Sequence, residues 1–184
     1  MRGRVWIAGA AVLLVSGCAA KDDAEPVAVP PVGQVTIPVE AAAAGGACRL
    51  LDFAVIEEHT GIRFEVAAAS ERTDTQTCVV RTGQESLPEL TLSVSETAVD
   101  KETFTADVVP SRAEKVTDLG EQAYRRTLAA SGDDGAAAEV GWLAGKGRLA
   151  VLRCTLPPET DRAADELATG LADLARTVDL TPTN

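Results

Sequence analysis

Leu90, Leu92 and Val94 alternate with Glu89, Thr91, Ser93 and Ser95, the cleanest two-residue period in the chain. That pattern predicts a strand with one packed face and one wet face. Phe64 and Val66, set among Arg63, Glu65 and Ala67, predict an earlier strand. The polar run 70–77 reads as the turn after it, and Cys78-Val79-Val80 as the start of the returning strand. Further strands are expected over 124–128 and 140–144, separated by the small polar loop 131–135. Gly145-Lys146-Gly147 then makes a tight connection into 148–155. That last strand carries Leu149 and Val151 on one face and Ala150, Leu152 and Cys154 on the other, which predicts a central place in the sheet.

Helical spacing appears in three places. Asp52 is a good N-cap type; Phe53 and Ile56 lie three apart, Leu51 and Val55 four apart, and Gly61 supplies a stop, so a short helix is expected over 53–59. Phe104 and Val108 mark a second helix within 100–109, ended by Pro110. After Pro157-Pro158 comes the best helix: Ala164, Leu167, Ala168, Leu171, Leu174, Ala175 and Val178 step by three and four, with Arg162, Asp165, Glu166, Asp173 and Arg176 on the other side. A membrane-lying helix would carry lysines and arginines there; this mixed, acidic face predicts packing against a core. Hairpin-length connections make the sheet mainly antiparallel and the class α+β, a twisted sheet flanked by helices.

The N-terminus reads as an address. Arg2 and Arg4 precede an apolar run over 5–15, followed by Ser16-Gly17-Cys18, the layout of a secretory signal. The run is shorter than the ~20 residues that span a bilayer. Val15-Ser16-Gly17-Cys18 resembles the bacterial lipobox, whose cysteine is diacylated on sulfur before cleavage at its N-terminal side. Two acyl chains suffice for stable anchoring, so Cys18 is expected to hold the protein on a membrane. Cleavage leaves 167 of the 184 residues, room for one domain and a tether.

The chain divides into a lipoprotein signal peptide (1–17), a lipidated Cys18 with a Pro/Ala-rich tether (18–46), a single globular domain (47–180) and a tail (181–184). Pro26, Pro30, Pro31 and Pro38 exclude a continuous helix or interior strand in the tether and keep it extended. The net charge is −11, and losing Arg2 and Arg4 brings the mature form to about −13. Such a body repels phosphate backbones, which excludes nucleic acid as a partner, and it stands off from anionic headgroups.

Cys48-Arg49-Leu50-Leu51, the short helix ending at Gly61, Cys78, and Asp118-Leu119-Gly120-Glu121-Gln122-Ala123-Tyr124 together resemble a family of actinobacterial lipoproteins of unknown function. Its members share a lipobox, a low-complexity tether, a Cys-x-Leu-Leu helix and a Leu-Gly-x-x-Ala-Tyr turn before a strand. The resemblance covers roughly 48–180. This chain departs from it at Val79, where an aromatic often follows the second cysteine, and in the extra Cys154. The resemblance implies a helix-flanked sheet similar to the PsbP-like sandwich, on the outer face of the cytoplasmic membrane, and carries no activity with it.

With Cys18 lipidated, Cys48, Cys78 and Cys154 remain, so at most one internal bridge forms and one thiol is left over. Cys48–Cys78 is the expected pair; it ties the first helix to the early hairpin and matches the resemblance. Cys154 is then a free thiol in a central strand, the alternative being that it replaces one member of that pair. No CxxC spacing exists and His59 is the one histidine, so no metal or cofactor is expected. His59, in a last helical turn, reads as a charge favourable to the helix end. Glu57-Glu58 is a solvated pair, Asp133-Asp134 lacks a calcium ligand count, and Gly145-Lys146-Gly147 lacks a phosphate-loop frame. Tyr124 and Trp142 read as sheet-packing residues, with Trp142 able to line a shallow cleft.

Three classes of function fit. The first is a non-catalytic binding or accessory lipoprotein contacting an envelope ligand or protein partner. The second is an extracytoplasmic sensor or regulatory module acting on a membrane partner. The last, an envelope hydrolase, needs a nucleophile–base pair that no motif supplies. The expectation is a non-enzyme.

Overall fold

The computed structural model describes residues 40–83, 85–145 and 147–180. The expected signal peptide, Cys18 and most of the tether lie outside the described residues, as do Lys146 and the tail 181–184.

Two short 3-10 turns, Ala41–Ala44 and Gly46–Leu50, lead into α1 (Phe53–Thr60). The side chain of Asp52 accepts hydrogen bonds from the N–H groups of Ala54 and Val55, and Gly61 closes the helix in the left-handed region. Then come β1 (Val66–Arg72), β2 (Thr75–Arg81) and β3 (Glu89–Glu96). A connector carries α2 (Lys101–Thr103), which continues as a π-turn over Phe104–Val108. β4 (Glu114–Val116), β5 (Gln122–Leu128), β6 (Ala137–Ala144) and β7 (Arg148–Thr155) precede α3 (Ala164–Thr177).

All seven strands form one antiparallel sheet in the order β1-β2-β3-β7-β6-β5-β4. Two meanders, β1-β2-β3 and β4-β5-β6-β7, meet where β7 pairs with β3, with Leu92 opposite Leu152. β7 is the middle strand, as its two apolar faces foretold, and the class is α+β as expected. On the first face Cys78, Val80, Leu90, Leu92, Val140, Trp142, Ala150, Leu152 and Cys154 are buried. The stripe of α3 covers them through Leu167, Leu171 and Leu174, and α1 adds Ile56.

Several expectations are corrected. The run 70–77 is not a turn: β1 and β2 continue through it, Ser70 opposite Thr77 and Arg72 opposite Thr75, and only Thr73 and Asp74 turn. Their polarity comes from lying on the end of a hairpin with little cover. Phe64 is buried ahead of β1, which begins at Val66. β6 begins at Ala137 rather than at residue 140, and β4 was not foreseen, being three residues with two charges. The boundary at Ala47 falls inside the packed region: Ala41 is already fully buried, because the first 3-10 turn lays its small side chain into the main core. The helix over 100–109 is a single α-turn, capped by Asp100 on the Thr103 N–H, running into a π-turn.

Candidate functional site

The second face of the sheet is covered on one side only. The connector lays Phe104 over it, fully buried, with its ring centroid 6.1 Å from that of Tyr124. Leu143, Leu149, Val99, Val108 and Val109 complete this small second core. Beyond it the face carries Ser70, Thr75, Thr77, Thr91, Ser93 and Ser95, which alternation turns away from α1 and α3. Thr75 and Ser95 hydroxyls lie 2.8 Å apart, and those of Thr77 and Ser93 3.3 Å apart.

A charged row crosses this face where the covered and uncovered parts meet. Register places Arg126 opposite Glu139, Glu139 opposite Arg153, and Arg153 opposite Thr91. Glu139 is only 6 % exposed. Its Oε1 accepts from Arg126 Nε at 2.7 Å and from Tyr124 Oη at 3.0 Å. A carboxylate withdrawn from water in this way is tolerable only when paired and hydrogen-bonded. The pairing acts back on its partners. Burial first, then the charge of Glu139 and the hydrogen bond to it, push the Tyr124 phenol well above its ordinary range. The hydrogen bond to Glu139 likewise raises the Arg126 guanidinium. The guanidinium of Arg153 has no hydrogen-bond or ion-pair partner among the described residues.

The strand that the sequence predicts over 140–144 leaves out Glu139, which β6 contains. The signal was a single acid in the otherwise apolar run Ala137-Ala138-Glu139-Val140. Arg126 and Arg153 gave none, since a charge on a half-wet strand is ordinary.

The residues singled out from sequence fall elsewhere. Cys48 and Cys78 form a disulfide, both fully buried, which joins the second 3-10 turn to β2. Cys154 is free and buried, and burial pushes its thiol up to about 12. His59 is half-buried in the last turn of α1, where its carbonyl oxygen approaches Gly170 of α3 too closely for any side chain there. Glu57, Glu58, Asp133 and Asp134 are exposed. Among the described residues no three His, Cys, Asp or Glu side chains gather as metal ligands. Trp142 is buried against the main core and borders a groove of about 370 Å³ with Gly120 and Arg176. A second groove of about 490 Å³ opens at the sheet rim beside Arg49, Glu96 and Arg148.

The Leu-Gly turn before β5 has a structural reason. Gly120 sits at φ 57°, and a Cβ there would fall 2.5 Å from the Leu143 carbonyl oxygen. Leu119 enters the main core, and Ala123 pairs opposite Trp142.

In chemical terms the uncovered face offers hydroxyls and the guanidinium of Arg153, which among the described residues has no ion-pair partner, groups suited to holding a polar or anionic ligand. Comparison with protein-family models, with curated proteins and with solved structures gives no match.

Proposed function

We propose that this protein is a lipid-anchored exported lipoprotein whose domain binds, without catalysis, a polar ligand or protein partner of the cell envelope. The observation that carries this reading is the fully buried Cys48–Cys78 disulfide. Bridges of this kind persist in oxidising compartments outside the cytoplasm, which agrees with the signal layout ending at Cys18. The resemblance of the lipobox and of the Cys48, Cys78 and Leu119-Gly120 motifs to actinobacterial lipoproteins of unknown function supports the same location. The hydroxyl-rich face around Arg153 is the proposed contact surface, because a positive charge without an ion-pair partner among the described residues, in a strongly acidic protein, favours a complementary group.

Crosslinking on intact cells, comparing the native chain with Arg153→Glu, tests this. The expected result is one dominant crosslinked partner that Arg153→Glu loses. Turnover of a cell-wall substrate by the purified protein, abolished by a single side-chain change, would overturn the non-catalytic reading.

A further inference from the structure

The two edges of the sheet are built differently. β4 has three residues, and Glu114 on it pairs with Arg125 at 2.8 Å. Short charged strands are one way proteins close an edge to further pairing. β1 is seven residues long, has no proline, and holds Ala67, Ala68, Ala69 and Ser70 at its middle. Val66 at its start is a large apolar side chain left 49 % exposed.

Pleating fixes which backbone groups face outward. The Glu96 N–H donates to the Asp74 carbonyl at 3.0 Å, so the even-numbered residues of β2 bond to β3 and the odd-numbered ones to β1. The β1 partners of those odd-numbered residues are Val66, Ala68, Ser70 and Arg72. The N–H and C=O groups of Ala67, Ala69 and Glu71 therefore point away from the sheet. Among the described residues no backbone hydrogen bond from another segment reaches them.

We propose that β1 pairs antiparallel with β1 of a second copy about a two-fold axis at Ala69, joining two sheets into one. This register sets Ala69 opposite its own counterpart, Ala67 opposite Glu71, Ala68 opposite Ser70, and Val66 opposite Arg72. Every outward N–H then meets an outward C=O, giving about six ladder hydrogen bonds. No charge stands directly opposite a like charge. The aliphatic stem of Arg72 covers the exposed Val66, as long basic side chains do on apolar surface. The side chains at positions 67–70 are Ala and Ser, small enough not to crowd the pairing. Because β4 is closed, pairing stops at two copies and makes a closed dimer, not a fibre. The pairing runs through the backbone edge of β1 and does not depend on the anchor or on a ligand at Arg153.

The test uses the full chain carrying Ala68→Cys and Ser70→Cys together. In the proposed register each new thiol faces its complement on the other copy about 4.5 Å away between Cα atoms, within disulfide reach. Both lie on the face away from the native bridge. Mild oxidation is expected to give a covalent dimer on a non-reducing gel. In the otherwise native chain, Ala69→Pro removes only an outward N–H, so sedimentation is expected to shift from dimer to monomer with an unchanged circular-dichroism spectrum. Failure of the double-cysteine chain to crosslink would overturn the proposal, as would a native dimer that survives Ala69→Pro.

Discussion

The ring of Tyr124 fills the space that a side chain at position 141 would need: a Cβ on Gly141 would lie 2.7 Å from the phenolic oxygen. Directly opposite in the ladder, β6 supplies a bare backbone at Gly141 so that the ring can lie across it and reach Glu139. Gly141→Ala is therefore expected to expel the ring and cost about 2 kcal/mol or more, the range for overpacking a tight site. Denaturant melts of the two chains check this, with Gly145→Ala as the comparison. That position faces Glu121 at an ordinary contact distance of 3.7 Å and should lose less.

Tyr124 is the single tyrosine of the chain, so its titration can be read without assignment. Its folded-state pKa is raised above the unfolded value near 10. The stability this contributes is fully present below about pH 10 and is lost as the pH rises from there toward the folded value. Tyrosinate absorbance at 295 nm should stay flat in the native protein through pH 10 and appear with unfolding. Tyr124→Phe should flatten the alkaline loss of stability.

The bridge between Cys48 and Cys78 closes a loop with a sequence separation of 30. Limiting the unfolded chain in this way contributes about 3–4 kcal/mol in the chain-entropy model. Cys48→Ser with Cys78→Ser should lower stability by about that amount. Proteolysis should then cut first near residues 40–50, where Ala41 and Ala47 lose the clamp that holds them in the core. Thermal melts and mapped cleavage sites measure both.

Cys154 is fully buried and its thiol pushed up to about 12, so it should stay inert toward a thiol reagent at neutral pH. In the Cys18-acylated chain one thiol should react once the protein is unfolded in denaturant without reductant. Rapid labelling of the native state would contradict its position in β7.

The sequence announced elements whose periodicity matched their burial. The alternation at Leu90 and Leu92, the three-and-four stripe from Leu167 to Ala175, and the Asp52 cap all appear as read. The middle position of β7 followed from apolar residues on both its faces. Polarity hid the rest. Residues 70–77 look like a loop because β1 and the start of β2 are largely uncovered, and hydrogen bonding holds them extended without a hydrophobic face. β4 is too short for any period. The row Arg126–Glu139–Arg153 comes from three strands in register, and such a cross-strand neighbourhood leaves no trace in local spacing.

The most direct measurement is the intact mass of the native protein, followed by fragment mapping without reduction. The expected species begins at Cys18, carries a diacylglyceryl group on that sulfur, and keeps Cys48 and Cys78 joined with Cys154 free. A bare thiol at Cys18 with residues 1–17 still attached, or cleavage elsewhere, would contradict the lipid-anchored, exported location on which the proposed function rests.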